Sequence, residues 1–95
     1  MADSAITYEA LYEMVRKEKS SSELQKLDDN AYAQIVDYLR TKFQIYQNSK
    51  DKVSQAEIEK IKVQITSARK LVKELYERRE KKIAEMAIAK SKTES

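Results

Sequence analysis

The 95-residue sequence contains no glycine and no proline. At average usage a chain this long would carry roughly seven glycines and about five prolines. Glycine supplies backbone with positive φ, and proline removes an N–H and ends helices. A helix begun in this chain therefore meets no dedicated breaker. The same absence excludes the phosphate-cradling P-loop and the dinucleotide fingerprint, whose glycines let the backbone approach a phosphate closely. Cys, His and Trp are missing as well. That leaves no disulfide framework, no common zinc site, no thiol nucleophile and no imidazole base. Carboxylates, lysines, tyrosines and serines remain, and none forms a nucleophile and base pair or a metal-ligand cluster. The expectation is a chain that is not an enzyme and holds no cofactor or metal.

Apolar residues recur with helical spacing in three stretches. Thr7 is a plausible N-cap for a first helix over about Tyr8 to Lys19, with Tyr8, Leu11, Tyr12 and Val15 on one stripe. The polar stretch from Ser20 to Asp29 reads as a connection, with room for a short helical turn, whose Leu24 and Leu27 tuck back onto the core. Asp28 or Asp29 then caps a second helix reaching about Gln47. Its stripe is Tyr32, Ile35, Val36, Leu39, Phe43 and Tyr46. A cation held by the two aspartates is the less economical reading. After a polar joint over 47–52, Ser54 and Glu57 match a capping box. The third helix carries a seam of Ile58, Ile61, Ile65, Ala68, Val72 and Leu75 and continues to about Ala89. The fold expected is all-α: a small bundle with two shorter helices packed on one long C-terminal helix.

A third helix of about 50 Å outruns a partner of about 30 Å. Its second half presents Leu71, Leu75, Tyr76, Arg79, Ile83 and Met86, so part of that stripe is expected to meet another protein. Charge is uneven too. Residues 67–95 hold nine of the nineteen Lys and Arg side chains but five of the sixteen Asp and Glu. Arg69, Lys73, Arg78, Lys81 and Lys82, with Arg79, are candidate contacts to a nucleic acid or an acidic partner. The simpler reading of this cluster is a solvated face with i, i+4 ion pairs, such as Glu74 to Arg78 and Glu77 to Lys81. Most tyrosines and Phe43 lie on apolar stripes and are expected to pack, whereas Tyr38 is expected to face outward or toward a partner. Glu9, Glu13, Glu18 and Asp37 have no basic companion fixed by the sequence. No run of about 18 apolar residues suggests a membrane span, and Met1 to Ser4 lack the basic start of a signal peptide. The chain reads as soluble and intracellular.

Two blocks carry a resemblance. Leu11 to Lys19 (LYEMVRKEK), followed by Ser22 to Leu27 (SELQKL) and Tyr32, resembles the opening of a GINS subunit. Ala68 to Ile83 (ARKLVKELYERREKKI) resembles the long helix of that family, where an Arg-rich ERRE stretch ends the helical domain. Together the blocks cover most of residues 8–88. They are similar to the archaeal subunit in which a helical A domain precedes a small β-rich B domain. Residues 1–90 would then be the A-type domain and 91–95 a polar tail or the start of a linker to a B domain that this chain lacks. The resemblance implies a scaffold subunit without catalytic residues. Its partners would be other GINS subunits in a tetramer, the MCM helicase and a Cdc45/RecJ-like protein, with nucleic acid contact indirect or weak and no membrane. It would place the chain in the cytoplasm near the nucleoid, or in the nucleus of a eukaryote. A basic helical nucleic-acid-binding module is the alternative.

Overall fold

The computed structural model describes residues 6–93 and is all-helical, with no strand among the described residues. Helix α1 spans Tyr8–Ser20, α2 spans Ala31–Ser49 and α3 spans Gln55–Thr93. Both shorter helices pack on α3. At 39 residues α3 is about 58 Å long and sets the long dimension of a molecule measuring 62 × 29 × 19 Å. The helix extends four residues beyond the expected end near Ala89, through residues read as a polar tail. Glu94 and Ser95, like Met1 to Ala5, lie outside the described residues.

Helix starts follow local chemistry at two of three positions. The Ala10 N–H donates to Thr7 Oγ1 at 3.1 Å, and the Glu57 N–H donates to Ser54 Oγ at 3.2 Å. Each hydroxyl satisfies a donor that the first helical turn leaves open. The expected Asp cap on α2 is not formed. Asn30 occupies the N-cap position and makes no side-chain cap. The Asp28 carbonyl instead accepts from the Ala31 N–H at 2.9 Å, so a backbone turn begins α2. The carboxylates of Asp28 and Asp29 stand one or two residues too early to reach the first free N–H groups. No described residue adopts positive φ. Without a glycine, α2 runs out into right-handed Lys50, and the Ser49 carbonyl then accepts from the N–H groups of Lys52 and Val53.

The core is small and contains residues from all three helices. Leu11 and Val15, Ile35, and Ala68, Val72 and Leu75 form one buried cluster, with Ile6, Met14, Tyr38, Leu39 and Leu71 packed against it. The expected seam of α3 is the face turned inward, with Ile58 buried and Ile61 and Ile65 half-buried. Ala68 is fully buried, and its single methyl leaves room for the shorter helices to approach α3. Leu24 and Leu27 are half-buried in a connection that contains no helical turn.

Helix α2 runs antiparallel to α3: Tyr32 meets Tyr76 and Arg79, while Phe43 and Tyr46 face the region of Lys62 and Ile65. Its inward face differs from the expected stripe. Ala31 and Ile35 are buried and Tyr38 packs on the core, whereas Tyr32, Val36 and Phe43 are exposed. Tyr38 is therefore not the outward tyrosine. It stands one helical turn after Ile35 on the side facing the core, and burial pushes its phenol pKa up. The Lys42 ammonium covers its ring at 5.5 Å from the centroid.

Candidate interaction surface of the third helix

Alternating steps of four and three residues carry the α3 seam from Ala68 through Val72 and Leu75 to Arg79 and Lys82. On α1 the inward positions Leu11 and Val15 lead in the same way to Glu18. The apolar contacts between these helices thus end in three charges that face one another. Glu18 is 1% exposed, and the side chains of Arg79 and Lys82 are 11% exposed.

Isolated charges at such burial would be costly, so every donor and acceptor here has to be used. Glu18 Oε1 accepts from Arg79 Nη1 at 2.9 Å and from Gln25 Nε2 at 2.7 Å. Glu18 Oε2 accepts from Lys82 Nζ at 2.7 Å and from the Gln25 N–H at 3.3 Å. These contacts occupy the roughly four lone-pair sites a carboxylate offers. Lys82 also donates to the carbonyls of Glu18 and Glu23, at 2.7 and 2.9 Å, which uses all three of its N–H donors. Arg79 donates to the Gln25 carbonyl at 2.8 Å and, through Nε, to Tyr32 Oη at 2.6 Å. Gln25 closes the set by donating to the Met14 carbonyl at 2.8 Å. Among the described residues no buried side-chain N or O atom lacks a partner.

Burial alone would raise the Glu18 pKa, but hydrogen bonds from Lys82, Gln25 and Arg79 outweigh it and hold the carboxyl at about 2. The Arg79 pKa is raised: burial works against the charge, and hydrogen bonds to Glu18 and Tyr32 overcome it. A proton donor or acceptor for catalysis needs an exchangeable proton near the working pH. This cluster has the opposite character. It is a closed clamp that fixes the 20–30 connection and α1 against α3.

The clamp redistributes the residues expected to bind a partner. Leu75 is fully buried in the core and offers no surface to a second protein, whereas Leu71 is half-buried and packs against that core. Arg79 is held in the clamp. Tyr76 is 38% exposed, with its ring centroid 5.5 Å from that of Tyr32. Ile83 and Met86, with Ile88, are more than half exposed, and every residue from Ile83 to Thr93 is exposed. The apolar surface left on α3 beyond the clamp is therefore Ile83, Met86 and Ile88.

Of the basic candidates, Lys82 is held by Glu18. Arg78 pairs with Glu74 at 3.0 Å, as expected, and Glu74 also meets Lys19 of α1 at 3.4 Å. Glu77 pairs with Lys73 at 4.0 Å, one helical turn before it. Arg69, Lys73 and Lys81 point outward. No group of three or more carboxylates among the described residues is placed to hold a metal. No helix of the described residues is long and apolar enough to cross a membrane.

Comparison of the chain with protein-family models, with curated proteins and with solved structures finds no match.

Proposed function

We propose that this chain is a non-catalytic helical assembly module that joins a related subunit through the part of α3 beyond the Glu18 clamp. The observation that carries this reading is the exposure of Ile83, Met86 and Ile88 on a helix continuing about 16 Å past Lys82. Ile83 and Met86 stand one helical turn apart on the same face, each about half exposed, so covering them against a second protein would recover on the order of 1 kcal/mol each. The clamp gives the overhang a rigid base, so little order has to be created on binding.

The GINS-like blocks name the kind of assembly. On that reading the chain is a scaffold subunit of a GINS tetramer in DNA replication, at the nucleoid or in a nucleus. It links the MCM helicase to a Cdc45/RecJ-like protein. The alternative, a basic nucleic-acid-binding module, draws less support because Arg79 and Lys82 are engaged within the chain.

Light scattering with a second GINS subunit tests the proposal. The wild-type chain should form a heteromeric complex, and Ile83→Glu with Met86→Glu should abolish it while helix content stays unchanged. A complex that survives both substitutions would remove the overhang from the interface. Failure of the wild-type chain to associate would overturn the assembly reading.

A further inference from the structure

We propose that the groove between α2 and α3 is a docking site for an acidic amphipathic helical segment of a partner protein. This inference does not rest on the GINS reading: the groove follows α3 positions 62–77, which precede Arg79 of the clamp, and lies away from the overhang.

The groove exists because the apolar face of α2 is wider than its core-facing stripe. Val36 and Phe43 stand beside the buried residues and remain 46% and 52% exposed. With Leu39, Tyr46 and Ile65 they line a depression of about 620 Å³. A second depression of about 520 Å³ continues it, sharing Leu39, Thr66 and Arg69 and reaching Tyr76 and Glu77. From Lys62 to Glu77 the trough follows about 22 Å of α3, the length of a helix of about four turns. Recognition of a helix in a groove requires this combination of length and aligned apolar pockets.

The rim selects the sign of the guest. Arg40 stands on the α2 side, and Lys62 and Arg69 on the α3 side. Lys70 and Lys73 extend the cationic edge along the second depression. Lys62 is shared with Glu59 at 3.6 Å, and Lys73 with Glu77 at 4.0 Å. Arg40, Arg69 and Lys70 have no carboxylate partner among the described residues. Guanidinium groups suit planar, two-point contact with carboxylates. An apolar floor between unpaired cations is complementary to a helix with leucine or phenylalanine on one face and Asp or Glu along both edges. A nucleic acid backbone would use the rim and leave the aliphatic floor of Val36, Leu39 and Ile65 without a counterpart.

The test uses the full chain, ¹⁵N-labelled, and a synthetic peptide of about 15 residues. The peptide carries Leu, Leu and Phe at i, i+4 and i+7 and Glu along both flanks. Its counterpart has Lys in place of every Glu, and a single-stranded oligothymidine of similar length is the third probe. Amide shifts should map the acidic peptide to residues 36–46 and 62–77. Phe43→Ser, and separately Arg40→Glu with Arg69→Glu, should weaken binding about tenfold or more while leaving the melting temperature in place. Shift mapping on the wild-type chain stands alone if a variant fails to fold. Absence of binding at about 1 mM peptide would overturn the proposal. So would equal binding of the lysine peptide, tighter binding of the oligonucleotide at the same amides, or occupation of the groove by a second copy of this chain.

Discussion

Lys82 Nζ lies 2.7 Å from Glu18 Oε2 and 2.7 Å from the Glu18 carbonyl oxygen, so one ammonium grips both the side chain and the backbone of the same residue. The backbone contact falls in the last turn of α1, where carbonyls lack intrahelical partners and a cation is favoured by the helix dipole. A third bond to the Glu23 carbonyl brings the following connection to the same point of α3. Sixty-four residues apart in sequence, the two residues close the chain where its apolar core ends.

Removing the Glu18 carboxylate should be severe, because it leaves Arg79 and Lys82 buried without their counter-charge. Glu18→Ala is expected to cost about 3–5 kcal/mol and lower the melting temperature by about 10 °C or more. Glu13→Ala removes an exposed pair with Arg16 and should leave the melting curve unmoved. Thermal unfolding followed by circular dichroism compares the two. Equal, small effects would mean that the clamp contributes nothing net to stability.

The same carboxylate sets a pH dependence with a defined sign. Its pKa falls from an ordinary 4.5 to about 2 on folding, so the unfolded chain binds the proton more readily. The stabilisation is complete above about pH 4.5 and is lost as the pH falls toward 2, roughly 3 kcal/mol over that window. Urea unfolding between pH 6 and pH 2 should show this slope in the wild type. In Glu18→Gln the slope should flatten, since the titrating group is gone. An unchanged slope would assign the acid sensitivity to Glu13 and Glu74, whose carboxyls are lowered by hydrogen bonds from Arg16 and Arg78.

Leu75 and Ile83 lie two helical turns apart on α3 and should respond oppositely. Leu75→Ala opens a cavity in a core of six residues and should cost about 2–5 kcal/mol. Ile83→Ala changes a side chain that is half exposed, and the isolated chain should keep its stability within about 0.5 kcal/mol. Chemical denaturation of both variants checks the pair. A large loss at Ile83 would show that the overhang is already packed within the chain.

The α3 seam from Ile58 to Leu75 was legible because four- and three-residue steps recur for five turns without a competing pattern. The clamp was present in the same register. Glu18 follows Leu11 by seven positions, and Arg79 and Lys82 follow Leu75 by four and seven, but a charged residue on a helix is ordinarily solvated. Only the pairing of two inward charges of opposite sign on separate helices distinguishes them, and that pairing depends on how α1 sits on α3. The α2 face was harder to place. Tyr32, Val36, Phe43 and Tyr46 satisfy helical spacing as well as Ala31, Ile35 and Tyr38 do. Alanine at position 31 carries too little apolar surface to weight the choice. Spacing alone therefore places Tyr38 outward or toward a partner and Phe43 in core or interface packing, and the width of that ambiguous face is what leaves the α2/α3 groove apolar.

The helix starts provide the last discriminating prediction. Thr7 and Ser54 each accept a hydrogen bond from a first-turn N–H, at 3.1 and 3.2 Å, whereas Asn30 accepts none. Thr7→Ala and Ser54→Ala should each cost about 1 kcal/mol. Asn30→Ala should cost less, because the Asp28 carbonyl already serves the Ala31 N–H and no side-chain bond is lost. Differential scanning calorimetry of the three variants ranks them directly. A loss at Asn30 equal to that at Ser54 would mean that the Asn30 side chain caps α2 in solution after all. A negligible loss at Ser54 would mean that α3 is held at its start by Ile58 in the bundle rather than by its cap.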